Sequence, residues 1–128
     1  MGDDLFRGIN RVKDLSNKTD LEKKHYPTIE APDSVKAREP FKVTITVGKE
    51  LVHPDEGGHY IQWIELYAGE AYLARLDFTP TMTGSPVTIT LKLNEDTTLR
   101  VIERCNLHGL WEVARPIKVA ALAGAAKV

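Results

Sequence analysis

The chain has 128 residues and a mass of 14.3 kDa, with 42% apolar and 27% charged residues, which suffices for one domain with its own core. Its 17 Lys and Arg residues nearly balance its 18 Asp and Glu residues, which argues against a general nucleic-acid-binding protein, because such proteins carry a basic excess. No apolar run is long enough to span a membrane, the N-terminus resembles no secretory signal, and one cysteine excludes an intrachain disulfide, so we expect a cytoplasmic protein.

The N-terminal segment has the spacing of a short amphipathic helix. Apolar residues recur there at intervals of three and four, with charged residues between them: Leu5, Phe6, Ile9, Val12 and Leu15. We therefore predict a helical extension within residues 1–19. Its apolar stripe would need a partner, either in the domain or in a neighbouring subunit.

The rest of the chain has the patterns of a β protein. Prolines at 27, 32 and 40 exclude a helix from the following segment. Beyond it, apolar and polar residues alternate, or β-formers cluster, in six segments: 41–47, 60–68, 70–78, 87–93, 97–104 and 111–119. Turns at regular intervals favour an all-β sandwich or a Greek-key barrel. We assign no function to the small-residue tail, residues 121–128.

The four histidines and the single cysteine all lie beside turn residues rather than in the middle of strands. They are His25, His53, His59, Cys105 and His108. A single loop histidine is usually a surface or hydrogen-bonding residue, but loops at one end of a sandwich converge in space. Imidazole and thiolate are both good ligands for mid-to-late first-row metals. The five residues together therefore predict a metal site.

The ligand types narrow the choice of metal. Structural zinc usually has four ligands and more cysteines than this chain offers. Type 1 copper normally takes a weak axial methionine shortly after the histidine of the cysteine loop, and none occurs between Cys105 and Val113. Iron held by four histidines and a cysteine would keep one octahedral position open for a small ligand. Two alternatives to an iron site that reacts with a small ligand remain. The first is a non-catalytic, cupredoxin-like electron-transfer or metal-binding protein, and the second is an interaction module without iron.

Three motifs around these residues resemble the superoxide reductase family, which comprises the neelaredoxin and desulfoferrodoxin iron proteins. The order, spacing and flanking residues of the ligands agree over residues 20–119. The motifs are Lys24-His25-Tyr26-Pro27-Thr28-Ile29, His53-Pro54-x4-His59-x-Ile61-x-Trp63, and Cys105-Asn106-Leu107-His108-Gly109-Leu110-Trp111.

The resemblance implies an immunoglobulin-like Greek-key sandwich of about seven strands over residues 20–120. It implies one mononuclear iron (Fe2+/Fe3+) per chain, with the four histidines equatorial and Cys105 axial. It also implies a superoxide reductase, which reduces superoxide to hydrogen peroxide and is re-reduced by an external donor such as a rubredoxin-like protein. With one cysteine, the second iron centre of desulfoferrodoxins is impossible, so the chain resembles the one-iron neelaredoxin type, whose members are often homotetramers.

The chain departs from the family beside the first ligand. The family motif is Glu-Lys-His, whereas this chain reads Glu22-Lys23-Lys24-His25. Lys24 matches the family lysine, which implies that it attracts the anionic substrate. The family glutamate can ligate ferric iron, but its position is taken by Lys23. If this segment is extended, Glu22 points away from the ligand's side, so we predict that no protein carboxylate binds the oxidised metal.

Two further positions near the motifs are interpreted as structural. Tyr60 replaces a residue that is often a further histidine in the family, but that position is not a ligand. Trp63 and Trp111 are interpreted as core or site-wall residues rather than as redox relays.

Overall fold

The computed structural model describes residues 4–121, and these residues form two stacked β-sheets and one short helix. The larger sheet has six strands in the order β1-β9-β8-β5-β6, with β3 also paired to β9, and the smaller sheet has the order β2-β4-β7. The strands are β1 (Ile9–Asn10), β2 (Pro27–Glu30), β3 (Ser34–Lys36), β4 (Phe41–Val47), β5 (Ile61–Ala68), β6 (Ala71–Asp77), β7 (Val87–Leu91), β8 (Thr97–Cys105) and β9 (Gly109–Ala120). The helix, α1, is Asp20–His25.

The hydrophobic core lies between the two sheets, and the period-two patterns of the sequence create it. Val43 and Ile45 of β4 are fully buried on one side, and Ile64 and Leu66 of β5 are fully buried on the other. Leu99 of β8, also fully buried, belongs to the same apolar cluster. Because alternate residues of a strand face opposite sides, each strand contributes one face to this core. The predicted all-β sandwich is confirmed.

All six predicted strands are present, with ends shifted by a few residues at most. The three strands that were not predicted, β1, β2 and β3, have only two to four residues. Such segments are too short to show an alternating pattern, and their strand conformation depends on the neighbour with which they pair. β2 pairs with β4, whereas β1 and β3 both pair in parallel with β9.

The predicted N-terminal helix is wrong for the part of residues 1–19 that the structure describes. Residues 4–19 contain no helix, and Ile9 and Asn10 pair with β9 instead. Phe6 and Leu15 of the supposed apolar stripe are 54% and 67% exposed. The side chains of Asp4 and Asp14 accept backbone N–H bonds two residues on, which favours turns over helix. The hydrogen bonds to β9 and the local turns therefore determine the conformation of this segment, although its apolar residues have the spacing of a helix.

The one helix of the described residues, α1, lies in a part of the chain for which the sequence predicted no helix. Thr19 is its N-cap, and Thr19 and Glu22 form a reciprocal capping box in which each side chain accepts the other's backbone N–H. The helix has six residues and ends at His25, two residues before Pro27. No helix among residues 4–121 is long and apolar enough to cross a membrane. Residues 122–128 of the predicted tail lie outside the described residues, and the domain boundaries stay a prediction.

Candidate metal centre

The five candidate ligands come from three separate parts of the chain that meet at one end of the sandwich. His25 is the last residue of α1, and His53 and His59 lie in the loop between β4 and β5. Cys105 is the last residue of β8, and His108 lies in the turn that leads into β9. The structure thus brings together all five residues that the sequence analysis singled out.

The four imidazole rings form a closed ring of neighbours. The centroids of His25 and His53 are 4.7 Å apart, those of His53 and His59 4.7 Å, those of His59 and His108 5.1 Å, and those of His108 and His25 4.7 Å. The centroids of His25 and His59, which are not adjacent in this order, are 6.4 Å apart. The four distances between neighbouring rings are similar, and all are shorter than the diagonal distance between His25 and His59. The rings therefore lie approximately at the corners of a square.

The cysteine sulfur lies against this square. One possible ligand atom from each of His25, His53, His59 and Cys105 falls within 4.8 Å of the others. The Nδ1 atom of His108 lies 3.6 Å from the Cys105 Sγ atom. Four donor atoms therefore lie together, the His108 Nδ1 atom lies beside the sulfur, and all five atoms are of types that bind iron, copper or zinc.

Hydrogen bonds orient two of the imidazoles so that one nitrogen of each stays available. The His25 Nδ1 atom is 2.7 Å from the Leu21 carbonyl oxygen, and the His53 Nδ1 atom is 2.7 Å from the Pro54 carbonyl oxygen. Because a carbonyl only accepts, Nδ1 must carry the proton and Nε2 the lone pair. The Nε2 atoms of His25, His53 and His59 are buried and have no hydrogen-bond partner among residues 4–121. These Nε2 atoms are suited to bind a metal ion. The two carbonyl groups hold the rings of His25 and His53 in a fixed orientation, as is usual for metal-binding histidines.

Burial controls the charge state of the ligands. It lowers the pKa of His25 and of His53 to about 4, so both are neutral near pH 7 and ready to bind a cation. Burial raises the pKa of the Cys105 thiol, although backbone N–H groups of Leu107 and His108 donate to the sulfur and lower it. A bound cation would stabilise the thiolate and release its proton.

Asn106 ties the cysteine turn to the loop that carries His59. Its Oδ1 atom accepts the Tyr60 N–H at 2.9 Å, and its Nδ2 group donates to the Gly58 carbonyl at 2.9 Å. Its own backbone N–H donates to the Tyr60 carbonyl. Asn106 therefore fixes the two loops against each other. In the sequence, Asn106 stands out only as part of the motif from Cys105 to Trp111.

Trp111 forms a wall of the centre, as predicted. Its ring stacks on His25 with centroids 5.4 Å apart and an angle of 23° between the planes. Its indole N–H donates to the His108 carbonyl at 3.1 Å. One side chain thus contacts two of the candidate ligands. Trp63, by contrast, lies under the guanidinium of Arg75, 4.5 Å from the ring centroid.

Glu22 lies elsewhere than the sequence argument assumed. Residues 20–25 are helical rather than extended, so a residue three before His25 lies on the same side of the helix. Its carboxylate nevertheless accepts the Thr19 N–H at 2.8 Å and the Lys13 N–H at 3.2 Å. The premise of an extended segment is wrong, and both oxygens are engaged by the backbone.

The two lysines before His25 are half-buried. Burial lowers the pKa of His108, and the nearby charges of His59 and Lys24 lower it further. Lys24 therefore lies close enough to His108 for its charge to act there.

Glu103 is a feature of the centre that the sequence analysis missed. It lies two residues before Cys105 on the same face of β8 and is fully buried, and within the described part of the chain neither carboxyl oxygen has a hydrogen-bond partner. Burial raises its pKa well above the usual range. The signal was present in the sequence, because Glu103 occupies an inward position in the series Leu99, Val101, Glu103, Cys105.

Comparison with known proteins agrees with this geometry. The family model described as Desulfoferrodoxin matches residues 17–114. The chain belongs to the desulfoferrodoxin family. A relative from Methanocaldococcus jannaschii is 49% identical over 115 residues, covering 88% of this chain and 95% of the relative.

Relatives with more specific names are also similar. The neelaredoxin of Megalodesulfovibrio gigas is 34% identical over 112 residues, covering 73% of this chain and 86% of that protein. The solved structure of the superoxide reductase (neelaredoxin) from Ignicoccus hospitalis superposes with a TM-score of 0.69 at 46% identity, covering 75% of this chain and 81% of that one. The family suggested by the sequence motifs is confirmed.

Proposed function

We propose that this protein is a superoxide reductase, an oxidoreductase that reduces superoxide to hydrogen peroxide by one electron. The observation that carries the proposal is the convergence of three buried imidazole nitrogens, which have no hydrogen-bond partner among the described residues, with a fourth histidine and a thiol. These donors suit one mononuclear iron per chain. Its ligands would be His25, His53, His59, His108 and Cys105.

Each ligand has a distinct part in this proposal. A bound iron would supply the one-electron redox chemistry, between Fe2+ and Fe3+. His25 and His53 stay neutral, because their burial disfavours the imidazolium form. The Cys105 thiolate would donate electron density to that iron, as a cysteine thiolate does in haem enzymes. The N–H groups of Leu107 and His108 hold its sulfur in place.

Lys24 is proposed to attract the substrate. Superoxide is an anion, and a positive charge beside a reaction centre raises the rate of encounter. Lys24 acts electrostatically on His108 and is only half-buried. Its ammonium group can therefore face both the centre and solvent.

Glu22 is not proposed as a ligand. Both of its oxygens already accept backbone N–H bonds, and breaking those bonds would remove the carboxylate's half of the capping box at the start of α1. The oxidised metal would then have no protein carboxylate bound.

The cellular setting follows from the chemistry and from the family. The oxidised centre must be reduced again, for which we propose a small electron-transfer protein of the rubredoxin type. We propose a cytoplasmic role in defence against oxidative stress, and a homotetramer as the oligomeric state. The tetramer would be tested by the mass of the protein in solution at micromolar concentration.

The decisive experiment combines metal analysis with one substitution. The protein loaded with ferrous iron should hold about one iron per chain and, once oxidised, show a thiolate-to-iron absorption band in the red. Cys105→Ser should remove that band and most of the activity. Leu107→Ala is the matched control, because this exposed neighbour keeps its backbone N–H to the sulfur.

Two results would contradict the proposal. A visible band that survives in Cys105→Ser would show that the sulfur is not a ligand. A protein that binds iron and transfers electrons, but whose band does not respond to azide and which does not consume superoxide, would favour the non-catalytic electron-transfer alternative.

A further inference from the structure

The N-terminal segment lies outside the family match, which begins at residue 17, yet it contacts two elements that carry candidate ligands. Residues 5–13, which we call the brace, run past the turn that carries Cys105 and His108 and end beside α1, which carries His25. Each contact uses backbone groups or side chains of the brace, and none of them belongs to the metal centre itself.

The first part of the brace holds the cysteine turn. The side chain of Asn10 donates to the Leu110 carbonyl at 2.8 Å and to the Leu5 carbonyl at 2.9 Å. Gly109, the residue after His108, has φ +80° and lies so close to the brace that a Cβ atom there would stand 2.2 Å from the Leu5 oxygen. Only glycine accommodates both this conformation and this contact.

The second part of the brace holds the helix. The Lys13 N–H donates to one Glu22 oxygen at 3.2 Å, while the other oxygen accepts the Thr19 N–H at 2.8 Å. The Glu22 carboxylate therefore connects the brace to the capped start of α1. His25 lies at the other end of the same six-residue helix.

A charged pair fastens the middle of the brace. The Arg11 guanidinium donates to the buried Glu112 carboxylate at 2.8 Å, and Arg100 of β8 donates to the other oxygen at 2.7 Å. Glu112 is almost fully buried, whereas the Arg11 side chain is 60% exposed, so only the carboxylate end of this contact is shielded from water.

We propose that the brace positions His25 relative to His108 and so determines how firmly the centre retains its metal. These two histidines are direct neighbours in the imidazole square, with centroids 4.7 Å apart, and the brace is bonded to the elements that carry them. Asn10 and Glu22 are then positioning residues that act as one unit. The inference rests on the proposed metal site and assigns Glu22 to positioning rather than to ligation.

The test measures metal release in single and double variants of the full chain. The protein is loaded with Co2+, whose visible bands report on coordination geometry, and release to an excess of chelator is followed by the loss of those bands. Asn10→Ala and Glu22→Ala should each accelerate release by about fivefold to tenfold, since each loses two hydrogen bonds. The double variant should release metal no faster than the more severe single variant, because either change frees the brace.

Two control variants sharpen the test. Lys118→Ala removes an exposed ion pair with Asp96 at a site away from the brace, and it should release Co2+ at the wild-type rate. Glu22→Gln keeps one acceptor oxygen, so it should fall between the wild type and Glu22→Ala.

Several outcomes would overturn the inference. Effects that multiply in the double variant would show two independent sites, and release rates equal to that of Lys118→Ala would show that the brace does not act on the centre. A shift of the ferric absorption band in iron-loaded Glu22→Ala, but not in Asn10→Ala, would make Glu22 a ligand. If the wild type took up neither Fe2+ nor Co2+, the proposed function itself would fail.

Discussion

The buried carboxyl of Glu103 should make the metal-free protein less stable as pH rises, and Glu103→Gln should abolish this effect. Neither of its oxygens has a hydrogen-bond partner among the described residues, and burial raises its pKa well above the usual value of 4.5. The folded protein therefore keeps the carboxyl protonated at a pH where the unfolded chain has lost that proton. A folded state that binds more protons than the unfolded state loses stability as pH increases.

The size of this pH dependence follows from the one proton that the folded state keeps on Glu103 and the unfolded chain loses. Relative to Glu103→Gln, the wild type should lose about 1.4 kcal/mol of unfolding free energy per pH unit above pH 4.5, until the folded-state pKa is reached. Between pH 5 and pH 7 the difference should therefore grow by up to about 3 kcal/mol. His25 and His53 titrate in both proteins, so their contribution cancels in the difference.

The assay is urea unfolding of both metal-free proteins between pH 5 and pH 8. Glu112→Gln is the matched control: this carboxylate is also buried, but Arg11 and Arg100 bond it, so losing it should destabilise the protein at neutral pH. A difference between the wild type and Glu103→Gln that does not change with pH would refute the reasoning. It would mean that Glu103 ionises normally in the folded protein.

Three further predictions concern the centre directly. Trp111→Phe keeps the ring on His25 but loses the bond to the His108 carbonyl, so metal affinity in a chelator competition should fall by about fivefold; an unchanged affinity would show that this bond is not needed. Lys24→Ala should slow the reaction with superoxide and flatten its dependence on ionic strength, because screening acts on the lost charge, and an unchanged salt slope in stopped-flow measurements would remove Lys24 from substrate capture. Stability of the metal-free Glu103→Gln protein, which lacks the opposing effect of that carboxyl, should also fall as pH decreases from 6.5 towards 4, since His25 and His53 are neutral in the fold and protonate first in the unfolded chain; urea titrations of this variant showing constant stability over that range would contradict their burial as neutral groups.

Long strands could be predicted from the sequence because their pattern is local. β4 and β8 each have at least seven residues, enough for alternation to be visible. β1 has two residues and exists only through its pairing with β9. The same pairing explains the false N-terminal helix, since no local pattern shows which edge of a sheet is available to a distant segment.

The identity of the candidate ligands could be predicted from the sequence, but the contacts that hold them in position could not. The histidines and Cys105 stand out by residue type and motif, whereas the square of rings depends on contacts between segments far apart in sequence. Glu22 illustrates the difference: the interpretation of residues 20–25 as extended ignored the Thr19 cap, although the sequence carries the capping-box pattern. The bond from the Lys13 backbone to Glu22 requires the tertiary fold.

The most direct test of the central claim is the product stoichiometry of the iron-loaded, pre-reduced protein with superoxide. A reductase combines each superoxide with one electron and two protons, so we expect one hydrogen peroxide per superoxide consumed, one oxidised centre, and no dioxygen. The measurement would follow peroxide with a peroxidase-coupled dye and dioxygen with an electrode. Half a peroxide per superoxide together with dioxygen would indicate dismutation, and no consumption above that of Cys105→Ser would contradict the proposed function altogether.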